Sequence, residues 1–165
     1  MLTVKHILVP TDFSPPSAVA FAYGRELANR FGSTLHVLHV AQSDSPYSFV
    51  PSKRGSEDGD RWVNTEDDAW RQLEALVLDP DDTAPATATA VVSATSPGLA
   101  IVDYAKAHRV DAIVMGTHGR TGAARLVMGS VAELVVRLAP CPVLAVKSPE
   151  PSFAGPPEAA STVLA

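Results

Sequence analysis

The chain has 165 residues, 46% of them apolar and 19% charged, a balance that gives one domain with a sizeable core and excludes a disordered or fibrous protein. Thirteen Lys and Arg against eighteen Asp and Glu leave a formal charge of -5, opposite to the basic footprint of sequence-independent nucleic-acid binding, so no nucleic-acid partner is expected. The single cysteine, Cys141, excludes an intramolecular disulfide framework. No apolar run reaches the eighteen or so residues of a membrane span, and the run after Lys5 and His6 is too short for a signal-peptide core. The reading is a cytoplasmic protein with no membrane partner.

Taken in chain order, residues 6–9 form a short apolar, β-branched strand. A helix follows. Ser14 can cap it, Pro15 suits its first turn, Ala20, Gly24, Leu27, Ala28 and Phe31 keep helical spacing, and Gly32 supplies the left-handed stop. Residues 34–40 give a second strand, and 43–61, rich in Ser, Pro, Gly and charge, give a variable loop. Trp70, Leu73 and Val77 mark the next helix, and 88–94 a third strand. Ser96 and Pro97 repeat the helix opening ahead of Ile101, Tyr104 and Ala105. Residues 111–115 make a fourth strand, Val131, Leu134, Val135 and Leu138 a helical stripe ended by Pro140, and 141–146 a fifth strand. The expected domain is 1–147, with 148–165 as a flexible C-terminal tail. Strands alternate with helices and are continuously apolar, the pattern of a parallel sheet covered on both faces in a single α/β domain.

Ligands of such a sheet bind beyond the carboxyl ends of the strands, where strand order reverses. After the first strand comes Pro10-Thr11-Asp12, whose carboxylate suits ribose hydroxyls or a metal; helix capping is the alternative role. After the fourth strand the chain spaces glycines as G-x2-G-x9-G-S, at Gly116, Gly119, Gly129 and Ser130. Gly116 and Gly119 let backbone amides approach an anion without a Cβ in the way. Gly129-Ser130 opens a helix whose unpaired amides and positive dipole end favour phosphate, with the Ser130 hydroxyl as a further donor or metal ligand. The alternative is that these glycines serve turns only. The segment is neither GxGxxG nor a Walker loop. Positive charge nearby is limited to His118, Arg120 and Arg125, so a bound triphosphate calls for a divalent cation.

The runs Ile7-Leu8-Val9-Pro10-Thr11-Asp12, Asp111-Ala112-Ile113-Val114-Met115-Gly116-Thr117-His118-Gly119-Arg120, Gly129-Ser130-Val131-Ala132-Glu133 and Ala139-Pro140-Cys141-Pro142-Val143-Leu144-Ala145-Val146 occur in collinear order. Together they resemble the ATP-binding subgroup of the universal stress protein family. The resemblance implies an adenine-nucleotide alpha-hydrolase-like sheet of strand order 3-2-1-4-5 with helices on both faces. It implies adenine against Pro10, Thr11 and Val40, and Asp12 on the ribose or its metal. It further implies Met115, Gly116 and Gly119 along the sugar and first phosphates, with His118 and Arg120 beside them, and Gly129, Ser130 and Val131 on the outer phosphates. The cofactor would be ATP with Mg2+ or Mn2+, the metal held between Asp12 and Ser130. The family pairs through its fifth strand, here 142–146, so a homodimer is implied, together with a regulatory protein partner.

Two departures from the family pattern stand out. The third strand leads into Ala94-Thr95-Ser96-Pro97 without the usual glycine, and 43–61 follows no fixed family pattern. Beyond Asp12, Ser130 and Arg120, the motif loops carry no residue to orient water and no strong cation for a transferring phosphoryl group, so binding with little or no hydrolysis is expected. A slow ATPase and a nucleotide-independent dimeric interaction module are the alternatives. ATP-pyrophosphate-cleaving ligases are disfavoured, because Pro10-Thr11-Asp12 does not resemble their Ser-Gly-Gly. His36 and His39, three apart on a strand, face opposite sides and cannot chelate one metal. His6 and His108 stand alone, all four being read as structural. Cys141 is read as buried and inert, and Trp62 and Trp70 as core or lid contacts.

Overall fold

The computed structural model describes residues 3–42, 63–78, 84–117 and 128–147. Nine elements alternate along them: β1 His6–Thr11, α1 Pro15–Phe31, β2 Thr34–Gln42, α2 Val63–Val77, β3 Thr87–Ala94, α3 Pro97–Ala107, β4 Ala112–Gly116, α4 Ser130–Leu138 and β5 Val143–Val146. The five strands form one parallel sheet in the order β3-β2-β1-β4-β5.

Both sheet faces are covered. Along β1 the side chains alternate: Ile7 and Val9 join Leu35, Val37, Val91 and Val114 beneath α1 and α2, while Leu8 joins Leu38, Val92, Ile113 and Met115 beneath α3 and α4. Burying each such side chain contributes about 1.5–3 kcal/mol, which explains why the strands read as unbroken apolar runs. Trp70 packs at the edge of the α1/α2 core; Trp62, the 43–61 loop and the 148–165 tail lie outside the described residues.

Local chemistry fixes the boundaries of α1. Ser14 caps it in extended conformation with its side chain accepting from the Ser17 amide, and Pro15 begins it. Gly32, at φ 64°, closes it, so that the Ser33 amide reaches back to the Ala28 carbonyl at 2.9 Å. Gly24 lies where helix and strand touch: a Cβ there would fall 2.3 Å from Val9 Cγ2. α3 differs from the expectation. It begins after Ser96 at Pro97, but the Ser96 side chain makes no capping hydrogen bond.

Other differences concern strand ends. β1 continues through Pro10 to Thr11, paired on its β2 side as Pro10–Leu38 and Thr11–His39. On its β4 side pairing occurs only at Ile7–Ala112 and Leu8–Ile113. Pro10 has no amide hydrogen with which to extend a ladder, and β1 and β4 part ahead of it. β5 begins at Val143 and not at Cys141, for Pro140 and Pro142 bring no donors to the flanking turn; the Pro142 carbonyl still accepts from the Ile113 amide at 3.0 Å. Asp111 stays outside β4, where its carboxylate accepts from the Lys5 and His6 amides at 2.7 and 2.9 Å. Those two bonds, that of Lys5 foremost, hold the carboxyl below its ordinary range.

The expectation that His6 and His108 stand alone is overturned. His6 Nδ1 lies 3.1 Å from His36 Nε2, and His108 stacks on Tyr104 with ring centroids 4.0 Å apart. His6 meets its partner across two strands, so nothing near it in the chain marks the meeting, whereas His108 caps α3 four residues after Tyr104, an i, i+4 spacing that the sequence already shows. Cys141 is half-buried, and burial pushes its thiol up, with the Asp111 charge adding to the effect. Among the described residues, no helix is long and apolar enough to cross a membrane.

Candidate functional site

β1 and β4 part at the carboxyl end of the sheet, leaving a cleft of about 550 Å³. Its floor comes from the strand ends, at Pro10, Thr11 and Asp12 from β1, Val40 from β2, and Met115 and Gly116 from β4. One wall is the first turn of α4, with Gly129, Ser130 and Val131. Of the residues singled out in the sequence, these nine come together. His118, Gly119, Arg120 and Arg125 lie outside the described residues.

The turn after β1 is tightly built. Phe13 sits at φ 61°, a left-handed conformation that costs a residue with a side chain about 1 kcal/mol or more. Its amide donates to Thr11 Oγ1 at 3.0 Å, and its ring lies against His39 with centroids 4.6 Å apart. His39 Nδ1 in turn donates to the Thr11 carbonyl at 2.9 Å. Thr11 Oγ1 also meets Ser17 Oγ at 3.1 Å, so the hydroxyls beneath the turn are mutually satisfied. The capping role considered for Asp12 is present: its Oδ1 accepts from the Ser14 amide at 3.1 Å and from the Ser14 hydroxyl. The same carboxylate also borders the cleft.

On the opposite side, the Thr117 amide donates to the Val146 carbonyl at 3.0 Å, and the Thr117 carbonyl accepts from the Gly129 amide at 2.7 Å. These bonds tie the end of β4 to the start of α4. Gly129 caps α4 with no side-chain hydrogen bond, so the first-turn amides border the cleft under the positive end of the helix dipole. The site thus sets amide donors and a hydroxyl opposite a carboxylate, over an apolar floor. Among the described residues, no three His, Cys, Asp or Glu side chains are grouped to hold a metal. The Asp12 carboxylate and Ser130 hydroxyl are hard oxygen donors of the kind Mg2+ and Mn2+ take, and would need ligand oxygens to complete a coordination sphere.

Sequence reasoning missed several lining residues: Leu38, Pro97, Ile101, Thr117 and Ala132. Pro97 and Ile101 bring the N-terminal end of α3 into the cleft wall. The signal was present in part, because Leu38 lies two residues before Val40 on the same face of β2, and Ile101 lies one turn after Pro97, which opens α3.

The sequence model described as the Universal stress protein family matches residues 3–147. The chain belongs to the universal stress protein family. Universal stress protein MJ0531 of Methanocaldococcus jannaschii is 31% identical over 147 residues, covering 88% of this chain and 84% of that protein. The solved universal stress protein UspA of Lactobacillus plantarum superposes with a TM-score of 0.67 at 27% identity, covering 88% of this chain and 99% of that one. The universal stress protein of Archaeoglobus fulgidus solved in complex with dAMP shares the fold, with a TM-score of 0.59 at 21% identity and coverage of 88% and 98%.

Proposed function

We propose that this universal stress protein binds an adenine nucleotide, ATP with Mg2+ or Mn2+, in the cleft between β1 and β4, and acts as a nucleotide-dependent regulatory module. One observation carries the reading: the first turn of α4, at Gly129, Ser130 and Val131, borders the same cleft as the Asp12 carboxylate and the end of β1. A helix N-terminus favours phosphate, a carboxylate favours ribose hydroxyls or a cation, and the apolar floor at Pro10, Val40 and Met115 suits a purine. The adenine lies against Pro10, Thr11 and Val40, the sugar and first phosphates against Met115 and Gly116, and the outer phosphates on α4. Asp12 and Ser130 would hold the metal, which would supply positive charge against the phosphates.

Arg120 is the cation that the sequence sets beside the motif glycines, and the reading is binding with little or no hydrolysis. Nucleotide occupancy then biases loop conformation and the choice of a regulatory partner in the cytoplasm. The edge strand β5, with Leu144 46% exposed, supports a homodimer paired along that edge. A second reading is a nucleoside monophosphate as the occupant, favoured by the dAMP complex of the Archaeoglobus fulgidus relative.

Denaturing the purified protein and separating any released nucleotide by chromatography tests both. Thermal unfolding with ATP, AMP or GTP and Mg2+ completes the test. Adenine nucleotide at a hundred times its Kd adds about 2.7 kcal/mol, or about 5–10 °C at this size, and GTP adds nothing. A larger shift with AMP than with ATP selects the second reading. No released nucleotide and no shift overturn both and leave the nucleotide-independent interaction module.

A further inference from the structure

At the end of the sheet away from the cleft, three histidines and a tyrosine from β1, β2 and the C-terminal end of α3 meet. His6 opens β1, His36 is third in β2, Tyr104 lies in the last turn of α3 and His108 follows that helix. His36 Nε2 is 3.1 Å from His6 Nδ1, and His36 Nδ1 is 3.2 Å from the Tyr104 hydroxyl. His108 stacks on Tyr104, its ring 5.7 Å from that of His36. His36 and Tyr104 are both buried.

Counting protons shows what this arrangement tolerates. A neutral imidazole donates at one nitrogen and accepts at the other, whereas a protonated one donates at both. The His6–His36 contact needs one N–H and one bare nitrogen. It accepts a proton on one of the rings. With both rings protonated, two N–H groups and two positive charges oppose each other at a buried site, and the contact becomes repulsive. Burial holds His36 toward its neutral form, and the charges of His6 and His108 add to this. Nearby, the Asp111 carboxylate is engaged by the Lys5 and His6 amides, and Lys5 brings a further positive charge. On α3, Asp103 and Lys106 pair with each other at 3.8 Å on the exposed side. β3 has no ionisable residue, and Ala88 is the one paired with His36.

We propose that His6, His36, Tyr104 and His108 form an acid-operated latch, which holds the C-terminal half of α3 on the sheet near neutral pH and releases it when His6 and His36 are both protonated. The same helix carries Pro97 and Ile101 into the cleft wall, so release loosens that wall. The latch stands independently of what the cleft binds; only its effect on a ligand rests on the nucleotide reading. Released from the sheet, His36 regains the ordinary histidine value of 6.5. The released state takes up a proton that the latched state refuses, so acid favours release. Between pH 7.5 and pH 5.5 the release equilibrium rises, by at most about tenfold for the one proton withheld.

Hydrogen–deuterium exchange on the full chain without nucleotide, corrected for intrinsic rates, tests the latch. Amides of 102–108 exchange faster at pH 5.5 than at pH 7.5, by at most about tenfold, while those of α1 do not change. His36→Gln keeps one donor and one acceptor but cannot be charged, and it loses this acid response. Should that variant not fold, an NMR titration of the wild type reads the same event, with His36 ring protonation coinciding with shifts of the Tyr104 ring signals. The latch is overturned if His36→Gln responds to acid like the wild type, or if His6 and His36 both become charged while Tyr104 signals and α3 exchange stay constant. Nucleotide affinity at pH 7.5 is measured separately, and its absence would remove the nucleotide reading alone.

Discussion

At the end of the sheet where the strands begin, polar groups close on one another: Asp111 takes the Lys5 and His6 amides, the Ser33 hydroxyl donates to the Val4 carbonyl at 2.7 Å, and His36 joins His6 to Tyr104. At the end where the strands stop, Asp12, Gly116 and Ser130 border a cleft instead. One sheet supports both ends with the same apolar layers. The difference lies in what surrounds the polar atoms, other groups of the chain at one end and the open cleft at the other. Polar groups satisfied internally contribute to folding stability.

The largest expected effect tests what the two ends share. Leu8 is fully buried between them, and Leu8→Ala costs about 2–5 kcal/mol of stability. Thermal unfolding reads the loss, which is equal with and without nucleotide, because the residue supports the sheet and not the site. A drop confined to the liganded protein would break the comparison.

Ser130→Ala has a smaller effect and separates the ends. Ser130 is exposed, so unliganded stability stays within about 0.5 kcal/mol. Losing a hydroxyl bonded to phosphate or metal weakens nucleotide binding by about 1.5–3 kcal/mol, roughly tenfold or more, as measured by calorimetric titration. An unchanged affinity would take Ser130 out of the site.

The smallest effect belongs to the opposite end. Asp111 has its carboxyl held below the ordinary 3.8, so its contribution is fully present above that value and is lost as the pH falls through the lowered one. Asp111→Asn therefore lowers the melting temperature most above about pH 5, and the gap to wild type closes on further acidification. A gap independent of pH would mean that the carboxylate charge does not matter there.

How far the sequence announced this architecture depended on how local each signal was. α1 was legible from end to end, since Ser14, Pro15 and Gly32 each act on the backbone beside them. The strand order followed from family resemblance, not from any single strand. Pro10 misled, because a proline commonly ends a strand, and here its nitrogen faces β4 beyond the last β1–β4 pair, where no donor is needed. In the candidate site, Asp12, Gly116 and Ser130 stood out because they follow strands or open helices. Ile101 and Ala132 did not, as their helical spacing also fits a core role. The histidine cluster was hidden for a physical reason: His6, His36 and His108 meet only through strand pairing and helix packing, and no periodicity connects them.

The pairing of β1 with β4 at Ile7 and Leu8 alone has a mechanical meaning. The sheet consists of two leaves, β3-β2-β1 and β4-β5, stitched by a short seam, whereas β2 is bonded to β3 along eight residues from Leu35 to Gln42. A molecule spanning the gap above that seam works as a hinge pin, tying the leaves where the backbone itself does not.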